Sequence, residues 1–541
     1  MPRAVLNPIY FDQFYGMDRR VDADKLGQGL SPLAVNVDLD RLGTVRKRKG
    51  QTILGQSGGS GQVVQAVFEF VNAAGISEIY SVKNGSIYKY DKINDIFSVV
   101  NGGSAKFTTN DQVQVEQFKN RVYFSSKSGN LCYFDGTTVI DVNTKEIDKI
   151  KATCMAVAQR TLFVGNVTFN NVTYSDRVYY SLFDTVNRVE DDKFWEAAEE
   201  GLADSTRYFM VEGGIVRNII TFSNINRVLI FSDSKCYSFD INQVATNYLN
   251  ALQDVFNIGC AGEKAATVVD GVLYWMDRKG KIWAYSGNTS RPEEISYMID
   301  DENLGASVIS QIDKSDLNLS QVSAFGIGKK VYFSIGSIGL DRESLPNACI
   351  KIAASQNGFK GYFAIDTFPS RLLCGNIATI NNSQFLMVGT SENILLLNSG
   401  LNDVSSDNGE LAINSYYRTR SMHFSYPFAN KFIDEVMVKY KPSILANNYL
   451  DMAVAVDGQV EYIPVTRPKT EVLTHGVINT YDPKAEYLGQ KTSKIKLPNE
   501  LKAQTISIEF SNRQLNETFE ICGFGFEKIS IENLNLGYHN I

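Results

Sequence analysis

The residues with the types and spacing for chemistry fall short of a catalytic constellation. The segment "LAVNVDLDRLGTVRKRKG" (33–50) sets Asn36, Asp38 and Asp40 at alternate positions, as in the first three ligand positions of a calcium loop. The match then fails, because the sixth position is Arg41 where a glycine is needed and the twelfth is Lys47 where a bidentate glutamate is needed. His423, His475 and His539 stand far apart, and no His-x-x-x-His or Cys-x-x-Cys spacing occurs. The seven cysteines (Cys132, Cys154, Cys236, Cys260, Cys349, Cys374, Cys522) are scattered singly, which predicts buried thiols in a reducing compartment, neither disulfides nor a metal site. "GIGKK" (326–330) lacks the leading glycine and the hydroxyl residue of a phosphate loop, and no Gly-x-Ser-x-Gly elbow supports a serine nucleophile. Asp300-Asp301 and the acidic "VEDDKFWEAAEE" (189–200) read as solvated loops in preference to a glycosidase acid/base pair. The expectation is a protein without catalytic residues, metal or cofactor.

The same 33–50 segment dictates local structure. Leu33, Val35, Val37 and Leu39 alternate with Asn36, Asp38 and Asp40, which predicts a half-buried strand. Leu42-Gly43 makes a turn, and "TVRKRKG" forms a second short strand with Arg46 and Arg48 on one face and Lys47 and Lys49 on the other. Such a hairpin is either a solvated one or a basic strand that pairs with phosphates or with an acidic neighbouring subunit.

The rest of the chain must position this hairpin. At 541 residues it exceeds one core and predicts two or three domains. Its 27 Tyr, 31 Phe and 41 Gly, against 12 Pro, favour strands joined by tight turns. The net charge of −7 argues against a surface that clings to nucleic acid. The N-terminus has no apolar secretory core, and apolar runs of about five residues fall well short of the roughly 20 of a membrane helix.

One pattern recurs between about 63 and 400: a polar turn, an apolar run, a turn with Gly, Ser or Asn, and a second apolar run. Copies are 77–91, 120–136, 226–240, 270–287 and 383–400, with weaker ones at 159–184 and 328–355. Each predicts a β-hairpin. The runs are continuous, as in Val122-Tyr123-Phe124, so both faces must be covered. Stacked sheets around an axis offer that cover, and copies about 40 to 66 residues apart match four-stranded blades. The expected fold is all-β: an irregular β-propeller of six or seven blades over 63–400, with a β-sandwich-like platform domain built from the N-terminal segment (1–62) and the C-terminal segment (401–541). In the latter, Asp457-Gly458 predicts a hairpin turn. "DDKFWEAAEEGLADS" (191–205) predicts a short helix packed on a blade edge.

Three segments carry a resemblance. Asn36, Asp38, Gly43, Arg46, Arg48 and Gly50, together with 191–240 and "YRTRSMHFSYPFANKFIDEVMVKY" (417–440), resemble the tail nozzle, also called tail tubular or packaged-DNA stabilisation, proteins of short-tailed bacteriophages. The motifs are short and degenerate, and Lys49 stands where many relatives have proline. The resemblance implies a structural, non-enzymatic virion protein of the phage tail, assembled in the host bacterial cytoplasm. It implies a hexameric ring below the portal and adaptor, in contact with tail fibres or other tail proteins. Double-stranded DNA would be retained by this ring and then pass through it without sequence-specific binding. Six copies at −7 each carry about −42, which suits a lumen that repels phosphate. Arg46, Lys47, Arg48, Lys49, Arg418 and Arg420 are then the expected subunit or adaptor interface, and 33–50 is expected to be a platform hairpin with Leu33 to Leu39 buried, Gly43 turning, and Arg46 and Arg48 in ion pairs inside the platform or with an adjacent subunit. The alternative reading is a tail adhesin that binds or depolymerises glycans.

Overall fold

The computed structural model describes residues 3–39, 43–55, 62–72, 74–118, 120–142, 150–158, 161–169, 171–181, 208–240, 252–287, 291–300, 307–340, 343–355, 358–405, 409–445, 448–457, 477–484 and 489–532. The expected helix at 191–205 and the glycine of the 457–458 turn lie outside them.

The chain is all-β and its middle is a β-propeller. Among the described residues, six four-stranded sheets span 64–99, 114–141, 151–210, 218–256, 266–294 and 374–397, the last completed by Gln51–Ile53. A seventh four-strand unit, 323–366, forms one end of a nine-stranded sheet. The innermost strands (Val64–Val71, Gln114–Phe118, Lys151–Ala158, Asn218–Phe222, Ala266–Val269, Ser323–Ile327, Cys374–Ile380) touch in sequence order, and the last touches the first. That contact closes the ring.

Each of the seven repeat copies read between 63 and 400 forms the second and third strands of one unit. Their two apolar faces are covered because neighbouring sheets stack: Phe68 meets Phe124 at 5.5 Å, Phe163 meets Phe239 at 5.5 Å, and Phe231 meets Trp275 at 5.3 Å between ring centroids. Each such buried aromatic contributes about 1.5–3 kcal/mol of transfer free energy. All seven cysteines are buried and free, as their scattered spacing predicts.

The last unit owes its outer strand to the N-terminal segment: Gln51–Ile53 pairs antiparallel with Leu395–Leu397. Gly50 precedes that strand at a crowded point. A Cβ there would sit 1.9 Å from the Asn402 carbonyl oxygen.

The platform interleaves both chain ends. In its eight-stranded sheet Arg3–Leu6, Ile9–Phe11, Val37–Asp38 and Val45–Lys47 join Lys431–Tyr440, Lys491–Ala503, Glu520–Phe526 and Ile529–Glu532. The nine-stranded sheet starts as the 323–366 unit, continues through Leu33–Val35, and ends in Ser415–Arg418, Ile506–Asn512, Tyr449–Val456 and Val477–Asn479. Phe510 of this sheet packs on Phe524 of the other at 5.6 Å, giving a two-layer sandwich. One sheet thus runs from the propeller into the platform, with an N-terminal strand as the joining piece.

The 33–39 stretch differs from the half-buried strand that alternation predicts. Leu33 to Leu39 are all buried, on both faces. The strand also breaks at Asn36, which adopts φ +53°. Leu33–Val35 lies in the nine-stranded sheet and Val37–Asp38 in the eight-stranded one. Asparagine tolerates the left-handed region better than most residues, so it can turn the chain between layers.

Candidate functional site

The basic hairpin is an interior joint, and its polar residues arise from where the two sheets meet. Asn36 at the switch point has every polar group engaged. Its backbone N–H donates to the Ile365 carbonyl (2.8 Å), and its own carbonyl accepts from the Arg48 N–H (2.9 Å). Oδ1 accepts from Arg48 Nε (2.9 Å) and the Thr367 N–H (2.8 Å), while Nδ2 donates to Thr367 Oγ1 (2.9 Å) and the Asn414 carbonyl (2.7 Å). A fully satisfied amide is what burial without penalty requires.

Arg48 makes the strongest pair in the joint. Its guanidinium grips Asp403 with two bonds (2.8 and 2.6 Å), donates to the Thr367 and Lys49 carbonyls (2.7 and 3.1 Å), and lies 4.6 Å from the Phe368 ring centroid. Burial alone would lower its pKa, but Asp403 holds it above the ordinary value. The bidentate geometry is one that lysine could not reproduce.

Asp38 is the acidic counterpart. It is buried, with Lys330 and Lys351 each 3.0 Å away and Arg46 at 3.6 Å; Lys351 also reaches Asp366 at 2.9 Å. Burial would raise the Asp38 pKa, yet Lys351 and Lys330 hold it well below the carboxylate range. The Asn36 and Asp38 oxygens therefore face guanidinium and ammonium groups and a backbone N–H instead, and Asp40 and Arg41 lie outside the described residues.

The six expected interface residues separate by environment. Lys47 is buried, with Nζ donating to Asn512 Oδ1 (2.9 Å) and the Gln514 carbonyl (3.1 Å); burial pushes its ammonium down to about 8 against the pull of Glu517. Arg48 and Arg418 are buried too. Arg418 bonds Glu509 Oε2 at 2.8 Å and pairs with Glu343, tying the platform sheet to the 323–366 unit. Arg420 is half-buried and donates to the Leu26 carbonyl at 2.8 Å. Arg46 is partly exposed beside Asp38, and Lys49 is exposed. Five of the six thus have partners within the chain. The joint brings Arg46, Lys47 and Arg48 together with Lys330, Lys351, Asp366 and Asp403, while Arg418 belongs to a separate cluster. Sequence reasoning missed those four partners. Their signal is a charge inside an apolar run, as in "CIKIAAS" (349–355) and "YFAIDTF" (362–368).

A second polar locus lies on the propeller axis: a cavity of about 370 Å³ lined from all seven innermost strands or the residues beside them. It holds Gln114, Glu116, Asn218, Glu263 and Lys264 among apolar neighbours.

No family model matches the chain, and no curated protein matches it significantly. Among solved structures it is similar to the extracellular domain of hybrid two component system BT3049 from B. thetaiotaomicron (10% identity, 89% of this chain and 61% of that one, TM-score 0.42). It is also similar to BamB from Moraxella catarrhalis (12% identity, 73% and 97%, TM-score 0.33) and to the computationally designed Ika8 protein (11% identity, 64% and 99%, TM-score 0.34). The fold assignment stands on the strand order described above.

Proposed function

We propose that this chain is a structural virion protein, a subunit of the tail nozzle ring of a short-tailed phage, that extends the DNA channel below portal and adaptor and performs no catalysis. One observation carries the reading. Five of the residues behind the family resemblance, Asn36, Asp38, Arg46, Arg48 and Gly50, lie where propeller, closing strand and platform meet. Their residue types are explained by mechanical continuity, and a component that holds packaged DNA needs that. A charge of −7 per chain is consistent with a lumen that lets phosphate slide past.

The test is mass analysis and negative-stain imaging of the purified chain, alone and mixed with its portal and adaptor. Rings of six that bind the portal–adaptor complex are expected; a persistent monomer that ignores both would sink the proposal. For the adhesin alternative no observation speaks. Trp275 is buried and offers no glycan platform, while Trp283 is partly exposed and stacks one face against it at 6.5 Å.

A further inference from the structure

The axial cavity is a cup with a built floor. The segment Gly262 to Lys264 enters the ring ahead of Ala266–Val269 and is tied to units on several sides. Gln114 Nε2 donates to the Glu263 carbonyl at 2.8 Å, and Asn218 Nδ2 donates to the same oxygen at 2.7 Å. Lys264 Nζ donates to the Gln65 carbonyl at 2.5 Å, and the Ala324 N–H donates to the Lys264 carbonyl at 2.7 Å. Four different innermost strands therefore hold one short segment.

Glu116 stands two residues after Gln114 on the same strand and face, roughly 7 Å further along the axis. The lining also includes the apolar Val157, Ile220 and Val268. Among the described residues Glu116 has no hydrogen-bond or ion-pair partner. Burial with no compensating charge raises its pKa to about 8. The other titratable groups lining the cup are Glu263, Lys264 and Cys374. Lys264 is already bonded at the floor, and burial raises the Glu263 pKa too, against the pull of Arg217, Lys264 and Lys127. The cup thus presents the Glu116 carboxylate, without a partner among the described residues, above a floor that holds Glu263 and Lys264, in walls that are partly apolar.

We propose that the cup binds a small organic primary ammonium ion, with Glu116 as its counter-ion and the aliphatic body against Val157, Ile220 and Val268. A single carboxylate suits a three-donor ammonium, whereas a hard divalent cation demands six or more oxygen ligands. The volume, equal to the share of about a dozen waters in liquid, admits a chain of several carbons. This inference is independent of the nozzle reading, since the axis of one propeller is not the lumen of a ring.

The probe is n-pentylammonium, titrated into the full chain by calorimetry, with n-pentanol as its neutral isostere and calcium chloride at matched ionic strength. Binding of the ammonium alone is expected, tightening as pH rises towards 8 because the carboxylate must be charged. Glu116→Gln should weaken binding at least tenfold, and Ile220→Trp, which fills the cup while leaving Glu116 in place, should do the same. The proposal is overturned if the wild-type chain does not bind the probe at 10-millimolar order, if pentanol or calcium binds as well, or if Glu116→Gln binds undiminished. Should either variant fail to fold, the other and the pH profile of the wild-type chain decide.

Discussion

Arg48 forms its ion pair inside the chain, the first of the two alternatives that the sequence left open. Its five donors are spent on Asp403, Asn36 and two carbonyls, and nothing of that set lies near it in sequence except Lys49. Arg48→Met leaves Asp403 charged and buried, which is expected to cost about 3–5 kcal/mol in chemical denaturation; adding Asp403→Asn should recover part of it. An unchanged denaturation midpoint in the single variant would refute the pairing. Glu116 titrates in the opposite sense to most carboxylates. Its folded pKa of about 8 lies above the ordinary 4.5, so the folded chain binds the proton more tightly than the unfolded one. Stability contributed by this group is therefore full below about pH 4.5 and is lost as pH rises to about 8. Because the Glu116 side chain is only partly buried, the loss is expected to be on the order of 1–3 kcal/mol, below the full ~1.4 kcal/mol per pKa unit. Glu116→Gln should remove that slope, so its advantage over the wild-type chain should grow between pH 5 and pH 8.5; parallel curves would show that the carboxyl is not so placed.

At the scale of elements, ring closure and layer switching depend on small, specific backbone sites. The outer strand Gln51–Ile53 reaches the 374–397 unit only because Gly50 lets the chain pass against Asn402. Gly50→Ala forces the backbone apart and should lower Tm by about 1–3 °C, as expected of a change that costs about 1–3 kcal/mol in a chain of this size. Gly489→Ala is the control, since a Cβ there meets nothing within 4 Å. Equal Tm values for both variants would mean that the seam is not under this constraint. Asn36 is the comparable site for layer switching, where a left-handed residue sends Leu33–Val35 and Val37–Asp38 into different sheets.

For the whole molecule, the joint changes which charges are suited to testing assembly. Reversing Arg48 attacks the interior, so any loss of rings would be confounded with unfolding. Lys49 is exposed and adjacent. If the chain forms the proposed ring through this face, Lys49→Glu should reduce the ring fraction in mass analysis while the monomer keeps its Tm. Rings in normal yield from that variant would remove the basic hairpin from the interface.

The propeller hairpins were legible in the sequence because their signals are local: continuous apolar runs of strand length, separated by turn residues, demand cover on both faces. Burial of the cysteines was legible from their scattered spacing, which fits neither disulfides nor a metal site. What alternation misjudged is the 33–39 strand. A period of two reports which side chains share a face, but not whether the second face meets water or another layer. Asn36 and Asp38 therefore read as solvated, although a second sheet and the 323–366 unit cover them. The destinations of Arg48, Lys351 and Arg418 depended on pairings across 355, 313 and 91 positions of chain. A buried charge is tolerated only where a partner arrives in register. The sequence alone determined that these strands must stack; only the tertiary structure decided which charge met which, because that depends on how sheets formed from opposite ends of the chain come together.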